Sequence, residues 1–303
     1  HRRDFTINTM AMRLNSRHHG ELYDFWGGLA DLKQKRIRVL HSLSFVDDPT
    51  RMLRAARFEQ RFHFHIESRT LVLIKEACDL LHQVSGDRLR HEFNLIFQED
   101  DPPAVFHRLE ELQLLAAIIP DLHWGKDQTA AWQKIFRTSA VQHGPAEKKK
   151  EIKTMPFELC WLILFRELDS AGLKAACSRL KLPAKISRIL IDQNELTSLL
   201  PDLAALPVDE AVKSLDRFDE TNLEAALALY PEKKGIEIIQ KYLDNWKNMR
   251  PTINGRDLER MGIPRGPLFR TILDEVRKAW LTGEIQDAAG EREFLKKYLE
   301  QFR

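Results

Sequence analysis

The chain has 303 residues, 43% hydrophobic and 30% charged, with a formal net charge of +2. That length buries real cores, and helical folds of this size divide into more than one unit. The near balance of charge excludes nucleic-acid binding by bulk charge alone, so any such binding must come from local clustering. There is no run of about 18 apolar residues and no signal-peptide pattern, so no membrane is implied. Cys78, Cys160 and Cys177 are odd in number and lack metal-ligand spacing. They read as buried reduced thiols in a cytoplasmic protein.

Residues 1 to about 41 alternate short apolar runs with turn signals and read as a helix followed by two short strands. The predicted strands are residues 12–15 and 21–25, with the polar turn 16–20 between them. Gly27 and Gly28 mark a tight turn before an acidic return.

Residues 45–58 are the most informative stretch. Asp48 is placed to N-cap a helix, and Pro49 suits its first position. Arg51, Arg54, Arg57 and Arg61 follow at spacings of three or four, which puts four guanidinium groups on one side of one helix. Phe58 sits among them, while Met52, Leu53 and Ala56 form a separate apolar side. Neighbouring cations repel unless something anionic lies across them, and planar forked donors suit phosphates or a polar ring edge. The plainer alternative is a solvated face with a few acidic partners.

From about 43 to 122 the apolar spacing is helical, with helices over 70–81, 88–97 and 104–112, a break at Pro102-Pro103, and an end at 118–122. Arg88 and Glu92, one turn apart, are expected to pair within their helix. From about 123 to 245 the pattern stays helical, with leucine-rich runs at 159–165 and 223–229, and Lys148-Lys-Lys150 in the most polar linker. His123, Trp124 and His143 lack a partner set for a metal and read as packing or surface positions. Residues 251–269 read as two short helices joined by a Gly-Pro-rich turn. Pro267 suits the first turn of the second helix, whose start, after Arg265 and Gly266, could receive a phosphate; a plain packing corner is the competing reading.

Four blocks in one order carry a resemblance. They are His1-Arg-Arg-Asp-Phe-Thr-Ile-Asn-Thr-Met-Ala-Met12, Leu22-Tyr-Asp-Phe-Trp-Gly-Gly-Leu-Ala-Asp-Leu32, the stretch 45–58, and Ser85-Gly-Asp-Arg-Leu-Arg-His-Glu-Phe93. Together they resemble the class II (bacterial-type) tRNA nucleotidyltransferase and poly(A) polymerase family. The tail, with Gly255-Arg-Asp-Leu258 and Gly262-Ile-Pro-Arg-Gly-Pro267, is similar as well. Asp47 stands where the family has Glu, and Thr9 where it has Ala.

The resemblance implies a mainly α fold, in which a partial α/β nucleotidyltransferase head remnant is followed by an all-helical neck, body and tail. The implied divisions are 1–41 (second half of the head, or palm), 42–122 (neck, for nucleobase and RNA), 123–245 (body) and 246–303 (tRNA-binding tail). The implied reaction adds CCA, or its terminal A, to tRNA 3′ ends from CTP and ATP, with Mg²⁺ held by an Asp-x-Asp pair. No Asp-x-Asp occurs in the chain. The chain is therefore expected to be the C-terminal portion of a longer protein, with no catalytic or metal-binding residue of its own. Asp48 and Arg51 would imitate the Watson–Crick edge of a partner base. Arg54 and Arg57 would reach the phosphates or hold Asp48, and Arg3, Asp4 and Asn8 would line the ribose and triphosphate side. Arg256, Arg260 and Arg265 would meet tRNA. The alternatives are a bacterial poly(A) polymerase and a non-catalytic RNA-binding protein on the same scaffold.

Overall fold

The computed structural model describes residues 3–141 and 155–300, without the side chains of 137–141. The Lys148–Lys150 linker and His143 lie outside the described residues. The chain is mainly helical and divides into two compact units, His1–Ile191 and Asp192–Arg303, with the helix Ala184–Leu203 shared between them. No helix among the described residues is long and apolar enough to cross a membrane.

The first unit opens with a 3₁₀ turn, Thr6–Asn8, where a helix was expected. The reason is local. The Asp4 carboxylate accepts from its own neighbour Phe5 N–H and from Asn8 Nδ2, both at 2.9 Å, which closes a tight turn. Of the two expected strands, 21–25 is present as a short strand and 12–15 is displaced, sharing only Met12 with the observed one. Ala11–Met12 pairs antiparallel with Leu22–Tyr23, and Gly20, at φ +87°, makes the turn between them. A second small pairing, Arg36–Ile37 parallel to His65–Ile66, was not legible in the sequence, because two residues are too few to show a period.

The Asp-x-x-Gly-Gly block works as a cap and a close approach. Asp24 accepts from Gly28 N–H at 2.7 Å and Leu29 N–H at 2.9 Å, at the start of the helix Gly28–Lys33. Gly27 takes φ +74°, and a Cβ on Gly28 would lie 2.4 Å from Thr6 O. Asp31, fully buried, then accepts from Thr6 Oγ1 at 2.6 Å and from Arg38 Nε at 2.8 Å. The first two sequence blocks are thus one knot of hydrogen bonds.

Helices follow at Ser44–Asp47, Thr50–Phe62, Ser68–Ala77, Gly86–Ile96, Pro102–Glu111 and Leu114–Ile118. The helix predicted over 70–81 ends as α-helix at Ala77 and tightens into a 3₁₀ segment, Cys78–Gln83. The helical run does break between Ile96 and Pro102, but the prolines open the next helix instead of lying in the gap. Both prolines sit in the first turn of a helix, where their missing N–H groups cost nothing, and Asp101 Oδ1 caps it by accepting from Ala104 N–H at 3.2 Å. Met52, Leu53 and Ala56 are fully buried, as the apolar stripe required. Trp161 meets Phe93 and Phe97 edge-on, and Trp124 stacks on Phe106 at 4.5 Å. Trp124 is thus core, and His123 reaches Glu110 at the surface. Cys160 and Cys177 are buried, and Cys78 is half-buried rather than buried; none is in a disulfide. Desolvation pushes the Cys160 thiol well up.

The second unit has two cores. One gathers Leu196, Leu200, Leu215, Leu223 and Ile239, and the other Leu258, Ile272, Val276, Ile285 and Leu295. They are joined through Asp216, which accepts from Tyr242 Oη at 2.9 Å and from Arg277 through both of its oxygens. Glu291, fully buried, accepts from Thr252 N–H at 3.0 Å and Ile253 N–H at 2.8 Å, and so fixes the start of the tail. The expected pair of short tail helices is present as Gly255–Arg260 and the start of Pro267–Leu281.

Candidate nucleotide-binding site

The helix Thr50–Phe62 begins two residues after Asp48, so Pro49 precedes the first helical residue instead of occupying it. Asp48 still caps, reaching over the proline. Its Oδ1 accepts from Thr50 N–H at 3.1 Å and from Thr50 Oγ1 at 2.7 Å. A third donor, Arg88 Nη2, reaches the same oxygen at 2.6 Å from the helix Gly86–Ile96. Burial raises the Asp48 carboxyl, but the Thr50 and Arg88 donors outweigh it and hold it below its ordinary value.

The expected Arg88–Glu92 pair does not form. Arg88 crosses to Asp48, and Glu92 faces Arg57 at 3.8 Å. A sequence signal for this existed. Arg88 lies in the first turn of its helix, where the macrodipole disfavours a cation, so a partner outside the helix was needed.

The four arginines of the stripe have three partners between them, with Arg57 and Arg61 sharing one carboxylate. Arg51 is 8% exposed and donates through Nη1 to Ser44 O at 3.2 Å and Ser44 Oγ at 2.8 Å. Arg54 grips Asp4, with Nε at 3.0 Å and Nη2 on the same oxygen. Arg57 is 5% exposed and donates to Glu99 at 3.1 Å, and Arg61 reaches the other oxygen of Glu99 at 2.9 Å. For Arg54, Arg57 and Arg61 the acidic-partner reading therefore describes the structure. Neither Arg54 nor Arg57 holds Asp48; Arg88 does. Arg57 and Arg54 also lie over the Phe58 ring, at 4.8 and 5.8 Å.

Asp4, Asn8 and Arg54 come together across 50 residues of sequence. Asp4 is 6% exposed. Burial raises its carboxyl, and Asn8, Arg54 and the Phe5 N–H together hold it below its ordinary value. Arg3 is exposed beside it and makes no ion pair among the described residues. Asp48 and Arg51 lie one turn apart, as their spacing required, but their side chains diverge, one towards Arg88 and the other towards Ser44.

Among the described residues no group of three or more His, Cys, Asp or Glu side chains is placed to hold a metal ion. The acids of the site are instead taken up by arginines. They do not fit a divalent-cation centre.

In the second unit, Arg256 and Arg265 line one open cavity of about 380 Å³ with Asn254, Glu259 and Phe269. Asn254 and Asp257 form a reciprocal capping box over the helix start. Arg260 pairs with Asp257 at 3.3 Å and Arg265 with Glu259, while Arg256 is exposed.

Known proteins match this arrangement. A family model described as "Poly A polymerase head domain" matches residues 1–38, and one described as "Probable RNA and SrmB- binding site of polymerase A" matches residues 63–124. An A-adding tRNA nucleotidyltransferase of Geobacter sulfurreducens is 34% identical over 94% of this chain, which spans only 33% of that protein. One of Halalkalibacterium halodurans is 30% identical, with 98% of this chain and 67% of the relative aligned. Among solved structures, the Thermotoga maritima CCA-adding enzyme complexed with tRNA is 30% identical at a TM-score of 0.70, covering 100% of this chain and 73% of that one. A CCA-adding enzyme solved with ATP reaches a TM-score of 0.73, again at 30% identity, covering 99% and 71%. The chain belongs to the tRNA nucleotidyltransferase and poly(A) polymerase family.

Proposed function

We propose that this chain supplies nucleotide selection and RNA binding to a tRNA nucleotidyltransferase that adds CCA, or its terminal A, to tRNA 3′ ends from CTP and ATP. The observation that carries this reading is the pair Asp48 and Arg51 at the start of one helix. Asp48 presents an acceptor, and Arg51 presents donors once it leaves Ser44. Cytosine and adenine both offer an amine that a carboxylate accepts, whereas guanine and uracil offer a carbonyl at that place. A mismatched base would leave a buried polar group unpaired, which costs enough to select by large factors.

On this reading 1–41 is the second half of the head, 42–122 the neck, 123–245 the body and 246–303 the tRNA-binding tail. Arg3, Asp4 and Asn8 face the sugar and triphosphate, with Asp4 oriented by Arg54. Arg57 acts from behind, as a buried tie between the arginine helix and Glu99. Arg256, Arg260 and Arg265 meet RNA phosphates. Mg²⁺ would supply the charge stabilisation of phosphoryl transfer, through ligands other than the described residues of this chain. Such an enzyme works in the cytoplasm. The three relatives that align over more than nine-tenths of this chain carry A-adding names, which favours addition of the terminal A, whereas relatives aligned over less of it are named for CCA addition.

The test incubates the full-length nucleotidyltransferase that carries this chain with tRNA transcripts lacking CCA, ending in C, or ending in CC, each with CTP or ATP alone. Arg51→Ala is then expected to flatten the preference among CTP, ATP, GTP and UTP by about tenfold or more while RNA affinity holds. Collapse of RNA binding with nucleotide preference intact would refute the base-reading role.

A further inference from the structure

We infer that Arg88 is a positioning residue for nucleobase choice: it fixes the Asp48 carboxylate so that Oδ2 alone is presented as an acceptor. This rests on the reading of Asp48 as a base-reading group.

The argument is a count of donors. Thr50 N–H, Thr50 Oγ1 and Arg88 Nη2 all converge on Oδ1, at 3.1, 2.7 and 2.6 Å. An ionised carboxylate oxygen with three donors is saturated. Oδ2 accepts from none of the described residues. Asp48 is 29% exposed, and with Oδ1 saturated, Oδ2 is the oxygen left to accept from a ligand. The two Thr50 bonds come from the same stretch of chain and leave the carboxylate free to swing about them. Arg88 comes from a different helix, 40 residues on, and is the bond that fixes the plane. It also leans on Thr50 Oγ1 at 3.4 Å, which ties the three groups together. Without it, Oδ1 and Oδ2 can exchange roles, and a group that must offer one acceptor in one direction no longer does so.

Arg88 is half-exposed, with 52% of its side chain in solvent. An exposed ion pair adds little to stability, so its conservation of geometry at Asp48 is separable from folding. The residue touches no nucleotide on this reading; it acts through Asp48.

The experiment measures equilibrium binding of CTP, ATP, GTP and UTP, and of inorganic triphosphate as a base-free probe, to the wild-type protein and to Arg88→Met, Arg88→Lys and Asp48→Asn. Arg88→Met is expected to weaken CTP and ATP about tenfold and to leave GTP, UTP and triphosphate unchanged. Arg88→Lys, which keeps a donor but not the forked plane, is expected to recover part of that loss. The inference is overturned if Arg88→Met keeps the preference while Asp48→Asn loses it; the base-reading role of Asp48 then stands alone. If Asp48→Asn keeps the preference too, the base-reading role itself falls. Equal weakening of all four nucleotides and of triphosphate would mark Arg88 as merely structural and would also overturn it.

Discussion

Glu92 is 5% exposed, its Oε2 has no hydrogen-bond partner among the described residues, and its charged neighbour Arg57 stands 3.8 Å away. Burial pushes its carboxyl above the ordinary 4.5, against the pull of Arg57 and Arg54. A raised carboxyl binds its proton more tightly in the folded state. Its contribution to stability is therefore complete below the unfolded value and is lost as pH rises through the folded one. Glu92→Gln keeps the shape and removes the charge, and Arg57 retains Glu99 at 3.1 Å. Thermal melts across pH should show the variant more stable than wild type at pH 8, with the gap closing below the ordinary 4.5. A lower midpoint at pH 8 would mean that the Glu92 charge is net stabilising through Arg57. At this scale the sequence was half legible. The spacing of Arg51, Arg54, Arg57 and Arg61 placed them on one helix face. Their partners, at Ser44, Asp4 and Glu99, come from other segments that no local pattern joins to that face. Local reasoning therefore offered Arg88 to Glu92, four residues away, when the partner lay 40 residues away at Asp48.

Between elements, one tight junction is where the helix Gly86–Ile96 starts against the end of the helix Ser170–Arg179. A Cβ built on Gly86 would lie 2.2 Å from Arg179 O and 3.0 Å from the Leu180 carbonyl carbon. Both are backbone atoms and cannot step aside. Arg179 is itself pinned, donating to Val84 O and Leu81 O at 2.9 Å and to His82 O at 3.1 Å, carbonyls at and just past the end of the 3₁₀ segment. Arg90 adds a bond to Leu180 O at 3.2 Å. Gly86→Ala should cost about 2–3 kcal/mol in urea denaturation. Gly125→Ala, whose Cβ would meet only Gln128 Oε1 at an ordinary 3.5 Å, is the control and should cost less than about 1 kcal/mol. Equal costs would show that the junction yields. The Ser85-Gly86 start was legible from sequence as a helix opening. That the glycine serves a close approach was not, because the carbonyl it avoids lies more than 90 residues away. The helices themselves were legible because their apolar stripes run for several turns. The four two-residue strands were harder, and the prolines at 102 and 103 misled because a helix start and a chain break share the same residue.

For the molecule as a whole, 47 basic and 45 acidic residues leave a net charge of +2, so RNA affinity must rest on a few uncompensated cations. In the tail they are not equal. Arg260 is engaged by Asp257 at 3.3 Å and Arg265 by Glu259, so a phosphate must displace a carboxylate to reach either. Arg256 is exposed and makes no ion pair among the described residues, and shares a cavity with Arg265. Each phosphate contact releases counterions and adds roughly one unit to the slope of log affinity against log salt. Three contacts from the tail would thus give it a share of about three units, far below that of a strongly basic binder. Titrating tRNA at several salt concentrations should show that share vanish in the Arg256→Ala/Arg260→Ala/Arg265→Ala variant. Among the single variants, Arg256→Ala should cost the most affinity at low salt, because it alone gives up a cation with no carboxylate to return to. An unchanged slope in the triple variant would move the RNA surface away from the tail. A loss at Arg260 or Arg265 larger than at Arg256 would mean that their ion pairs orient them for the phosphate instead of competing with it.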